Sequence, residues 1–241
     1  MAKKPLPGKC VHCLREPVPR TWDHVFPESW YPDTTPAGIE KWKIPSCVQC
    51  NNEYGKIEQD LLLRIGLCLD LQALETSGIA PKGLRSINPK YAKNERDARY
   101  RAAKREQLLR QLRKGNDFPH DAIYPNLGEK WGRPSEQQII VPIPASSVCR
   151  LGEKIVRGIS YIADYMFIIP PYTVEIFVIQ DERELLANSV LDQFGQSYAR
   201  EPGIVVYRAV SQEDAMSSIF KIEIWQQFKM YASVYDRTVL P

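Results

Sequence analysis

The chain has 241 residues, 44% of them hydrophobic and 25% charged, with a formal net charge of +3. That length suits one large or two small domains, and that balance belongs to globular proteins, not to disordered or fibrous ones. No apolar run approaches the ~20 residues needed to span a bilayer, and "MAKKPLPGKC" has no apolar stretch behind its lysines. Neither membrane insertion nor secretion is expected, and a cytoplasmic location is.

The first feature in chain order is a pair of cysteines, Cys10 and Cys13, matched by a second C-x-x-C pair, Cys47 and Cys50, with 33 residues between the pairs. In a reducing compartment such pairs read as metal ligands and not as a disulfide framework. Four thiolates are the set that tetrahedral Zn²⁺ prefers, and a site closed by four of them has no open position for substrate. The zinc expected here is therefore structural, and any chemistry has to come from other residues.

Those residues begin at "WDHVFP", which follows the first knuckle, and continue at Asn51, which follows the second. The order C-x-x-C, Asp23-His24, C-x-x-C-Asn51 resembles the HNH endonuclease family, closest to its four-cysteine branch. The resemblance covers about residues 10–60. It implies a ββα-metal motif of two short strands and a helix that cuts phosphodiester bonds. His24, near an unperturbed imidazole pKa, would be the general base that takes a proton from water. Asp23 and the Asn51 amide oxygen would hold a catalytic Mg²⁺ or Mn²⁺, ions that prefer hard oxygen ligands. Adjacent strand residues point to opposite faces, so Asp23 and His24 would need a bend or bulge to face one phosphate. The sequence departs from many members at Trp42, where an Asn normally braces the loop that carries the histidine. Arg20 and Lys56 are candidate phosphate contacts. Glu58 is a candidate extra ligand, with a solvated helix face as the plainer reading for it and for Lys56. His12 is read as an exposed knuckle residue and His120 as a loop residue.

Beyond the second knuckle, Ile57, Leu61, Ile65, Cys68 and Leu69 recur at helical spacing and predict a helix from about residue 52 to 74. "TSGIAPKG" then marks a boundary. Residues 89–114 contain no Gly and no Pro after the first residue, and they predict one long helix with ten Lys or Arg against three Asp or Glu. Arg99, Lys104 and Arg105 on it are candidate nonspecific phosphate contacts. A loop-rich stretch follows to residue 136. After it "QQIIVPIP", "YTVEIFVI", "GIVVYRAV", "SSIFKIEIWQ" and "FKMYASVY" read as strands, and residues 146–166 and 181–194 as helices. Cys68 and Cys149 are read as core cysteines.

The expected fold is α+β: an N-terminal zinc-stapled ββα-metal domain over residues 1–76, a basic helical linker over 77–120, and an α+β module with an antiparallel sheet over 121–241. Charge follows the same division, since Lys and Arg exceed Asp and Glu by 13 to 6 over residues 61–120 and fall below them by 11 to 15 over 121–241. The expected partner is DNA, with RNA the alternative nucleic acid, and an exposed sheet edge in the last module would suit a second copy or another protein. The rival function is a non-catalytic zinc-knuckle protein that binds nucleic acid and in which His24 does no chemistry.

Overall fold

A computed structural model of the chain describes residues 4–114, 122–123, 137–178, 182–200 and 203–239. The loop-rich stretch 115–136, including His120, lies outside them except at 122–123. Strands β1 (Arg20–His24) and β2 (Lys43–Cys47) pair antiparallel from Arg20↔Cys47 to His24↔Lys43. Helix α1 (Val48–Gly66) starts directly from β2, because the Cys47 sulfur caps it by accepting the Cys50 N–H at 3.4 Å. It begins and ends earlier than the periodicity predicts. The Asp70 N–H beyond it donates to the Gln227 side chain at 2.7 Å, so a tertiary partner takes the chain out of the helix.

Helix α2 (Ile79–Arg85) packs on α1, where Gly83 lets the two backbones approach. The predicted long basic helix is shorter than expected: a 3₁₀ turn over Pro89–Tyr91 precedes α3 (Glu95–Gln111). Asn94 breaks the run, accepting the Asp97 N–H at 2.9 Å as an N-cap. The segment then enters short pairs. Strand β3 (Arg113–Lys114) pairs with β5 (Ile139–Ile140), and β4 (Ala122–Ile123) pairs with β6 (Ile143–Pro144). "QQIIVPIP" is thus two fragments, since Pro142 and Pro144 cannot donate to a ladder.

Helix α4 (Ala145–Asp164) leads to β7 (Tyr172–Phe177), α5 (Glu182–Phe194), β8 (Gln196–Arg200), β9 (Ile204–Val210), β10 (Ser218–Ile224) and β11 (Phe228–Asp236). The last five strands form one antiparallel sheet in the order β7-β11-β10-β9-β8. On β10, Phe220, Ile222 and Ile224 are buried toward α4, whereas Ile219 packs with Leu191 and Val190 of α5 on the other face. Strand β8 has no apolar alternation; it is set by its pairing with β9 and by Tyr198 packing on the core.

One core joins the two ends of the chain. Val25, Ile44 and Trp30 cluster with Ile155, Ile159, Ile222 and Trp225. Helix α4 is wedged between the hairpin and the sheet, and two glycines make room for it. A Cβ on Gly158 would lie 2.9 Å from Val25, and one on Gly152 would lie 2.8 Å from Ile176. The turn between β10 and β11 bends through Trp225 and Gln226 at φ of 51° and 55°, a left-handed conformation costly for a bulky residue. Trp225 is held there by burial, by its ring packing against Trp30 at 5.0 Å, and by a 2.8 Å hydrogen bond from its indole N–H to the Trp30 carbonyl. Among the described residues no helix is long and apolar enough to cross a membrane.

Candidate functional site

The four sulfurs of Cys10, Cys13, Cys47 and Cys50 all lie within 4.8 Å of one another, and those of Cys13 and Cys47 are 3.9 Å apart. Four sulfurs at about 2.3 Å from a tetrahedral zinc are about 3.8 Å apart, so the cluster fits that ion. Donors already point at the sulfurs. The Cys47 N–H reaches Cys10 Sγ at 3.2 Å, and the Arg15 guanidinium reaches Cys13 Sγ at 3.3 Å. Burial opposes ionisation of Cys13, but Arg15 outweighs it and brings that thiol down to about 6. Burial and the neighbouring sulfurs push Cys50 up. Four adjacent thiolates need a central cation to coexist, a charge that a metal such as Zn²⁺ would supply.

Strand β1 divides the site into two faces. The ladder runs one-to-one through His24 with no bulge, so Asp23 and His24 point in opposite directions. Asp23 shares the inner face with its partner Ile44 and is 4% exposed. His24, half-buried, shares the outer face with Trp22 and Lys43.

The outer face opens into a cleft of about 1020 Å³ lined by Trp22, His24, Glu28, Tyr31, Lys41, Trp42, Lys43 and Lys82 among others. Lys41 pairs with Glu28 at 2.9 Å and Lys82 with Asp33 at 2.7 Å. Lys43 has no hydrogen bond or ion pair among the described residues. Burial and the Lys43 charge hold the His24 imidazole below its ordinary pKa, against Glu28 and Asp23. Trp42 braces the strand end without an Asn: its carbonyl accepts the Val25 N–H at 3.0 Å. Its ring is covered by the Arg200 guanidinium at 3.5 Å and meets Tyr198 edge-on. Both come from β8, so the sheet helps build the cleft wall.

The inner face is a buried charge cluster. Asp23 Oδ1 accepts from Lys154 Nζ at 2.9 Å, and Asp23 Oδ2 accepts from His12 Nε2 at 3.0 Å. Lys154 is fully buried and also contacts Glu58. Burial works against Asp23, but His12 and Lys154 hold its carboxyl below the usual range, whereas burial pushes Glu58 up. His12, expected at an exposed knuckle, is instead buried against the Tyr54 ring at 4.6 Å, and its Nδ1 has no partner among the described residues. Glu58 is correspondingly not on a solvated face. No sequence pattern points to Lys154, which lies 131 residues from Asp23.

The remaining sequence candidates are scattered. Asn51 donates through Nδ2 to the Trp22 carbonyl at 3.3 Å, which ties α1 to β1. Arg20 donates to the Leu6 and Lys9 carbonyls at 2.6 and 3.2 Å. Lys56 and Lys104 line a hollow of about 260 Å³ between α1 and α3, and Arg99 and Arg105 are exposed. Cys149 is exposed, not in the core.

No family model matches the chain, and no curated protein or solved structure is detectably similar to it.

Proposed function

We propose that this chain is an HNH-type nuclease that hydrolyses phosphodiester bonds in DNA, with His24 as general base. The observation that carries the reading is the position of His24: it stands apart from the four sulfurs and faces a cleft edged by Lys41, Lys43 and Lys82. An imidazole held below its ordinary pKa is neutral at pH 7 and free to accept a proton. In the proposed reaction a water loses its proton to His24 as its oxygen bonds to phosphorus. The bond from phosphorus to the sugar oxygen breaks, and that oxygen takes a proton from solvent. The Lys43 ammonium, which unlike Lys41 and Lys82 has no carboxylate partner among the described residues, offsets the charge that grows on the phosphate oxygens. Exposed Arg99 and Arg105 on α3 would add nonspecific phosphate affinity.

The Mg²⁺ or Mn²⁺ that the resemblance implies does not fit the residues as they stand. Each Asp23 oxygen already serves a buried partner, so the Asn51 amide oxygen, which its Nδ2–H bond to the Trp22 carbonyl leaves uncommitted, is the only ligand of the expected pair still open. That occupancy favours a second reading, a zinc-stapled nucleic-acid-binding protein without catalysis. One variant separates the two. His24→Ala should cut cleavage of plasmid and oligonucleotide substrates by about 10²–10⁴-fold with zinc content and DNA affinity retained. Wild type that binds DNA and cuts none of these substrates, with or without divalent ions, would establish the binder instead.

A further inference from the structure

A divalent ion at Asp23 needs space for a hydrated cation to enter and no competing positive charge. Asp23 offers neither. Its two oxygens face Lys154 Nζ at 2.9 Å and His12 Nε2 at 3.0 Å, it is 4% exposed, and the Lys154 side chain is fully buried. The same ammonium touches Glu58, the other carboxylate of the inner face. Lys154 is brought there by the backbone. Gly158, one turn further along α4, lets the helix press against Val25 so closely that a methyl group would not fit. A buried carboxylate pair with a central cation is the electrostatic arrangement of a metal site, with an ammonium in place of the ion.

We propose that Lys154 is a built-in cation that takes the place of a divalent metal between Asp23 and Glu58, so that this chain binds no Mg²⁺ or Mn²⁺ there and cleaves without one. The statement about binding stands on the geometry alone, and the statement about cleavage rests on the nuclease reading above. Lys154 is a positioning residue in this scheme. It fixes Asp23, and through β1 the strand that carries His24, but it does not touch the cleft.

The test is a titration of the zinc-loaded full chain with Mn²⁺, with free ion followed by electron paramagnetic resonance. Wild type should bind no Mn²⁺ at millimolar concentration. Lys154→Met, which keeps the side-chain length and removes the charge, should gain one Mn²⁺ per chain, and adding Asp23→Asn should abolish the gain. A folded Lys154→Met that gains no ion would overturn the proposal. So would a wild-type Mn²⁺ site that Asp23→Asn removes. That comparison decides alone if Lys154→Met does not fold. In the activity arm, plasmid cleavage in buffer stripped of divalent ions should stay within about 2-fold of the rate with added Mg²⁺, and strict Mg²⁺ dependence lost in Asp23→Asn would overturn the proposal. Absence of cleavage under every condition would instead count against the nuclease reading and leave the Mn²⁺ result standing.

Discussion

His24 and Asp23 are neighbours in the chain with opposite electrostatic fates, and the period of a strand separates them. His24 is partly exposed to a cleft beside Lys43, and burial together with that charge disfavours the imidazolium. Its folded pKa is lowered, so the neutral base persists to a pH below the ordinary value of about 6.5. The acid limb of a pH–rate profile for plasmid nicking should therefore fall below that value. Lys43→Gln should move the limb to higher pH, because removing a positive neighbour makes the imidazolium easier to form; an unmoved limb would detach it from His24. On the other face, Lys154→Met leaves Asp23 and Glu58 buried without their cation. Removing one partner of a buried pair costs about 3–5 kcal/mol, to be read as a loss of unfolding free energy in urea. The motif D-H was legible from the sequence, but which way each side chain points was not, since only the register Asp23↔Ile44 and His24↔Lys43 fixes the faces. Lys154 was invisible because its partner sits in another part of the chain and an isolated lysine in a helix carries no signal.

At the scale of elements, Cys47 combines three tasks: last residue of β2, N-cap of α1, and member of the sulfur cluster. Cys47→Ser should release zinc and unravel both the hairpin and the first turns of α1, seen together as lost metal and lost far-ultraviolet circular dichroism. Helix α3 lends itself to a graded test. Arg99→Ala and Arg105→Ala should each lower the slope of log affinity against log salt for DNA by about one. Lys104→Ala should do less, because Lys104 is partly buried in the hollow between α1 and α3, whereas Arg99 and Arg105 are exposed. The helices and long sheet strands were readable from periodicity, whereas their limits were set by local polar groups. Asn94 ended the presumed continuous basic helix with a single side-chain hydrogen bond. Strand β8, with five residues and no apolar alternation, is placed by the edge of β9 and by the contacts of Tyr198 and Arg200 with Trp42.

Across the whole molecule, the hairpin, α4 and the sheet are bonded into one body at three points: Gly158 on Val25, Lys154 on Asp23, and the Trp225 indole on the Trp30 carbonyl. A fragment ending at residue 76 would expose Val25, Ile44 and Trp30 and leave Asp23 without Lys154. Such a fragment should bind zinc through its four cysteines and yet give a poorly dispersed proton–nitrogen correlation spectrum. Gly158→Val should destabilise the full chain by roughly 1–3 kcal/mol through overpacking at the same contact, read as a drop in melting temperature. Composition suggested a division into segments because charge changes sign along the chain, but it cannot report packing between distant parts.

The span of 131 residues between Asp23 and Lys154 also sets a schedule. At synthesis rates of about 5–20 residues per second, Asp23 leaves the ribosome roughly 7–26 s, and the completed hairpin with its second knuckle roughly 5–21 s, before the lysine that closes the inner face. For that interval the nascent N-terminal region carries Asp23 and Glu58 without the Lys154 ammonium, with only His12 at hand for Asp23, the state that Lys154→Met would make permanent. Arrival of α4 then works as a checkpoint on maturation: the carboxylates are neutralised by the polypeptide itself, and only a chain extended past residue 154 can bury them.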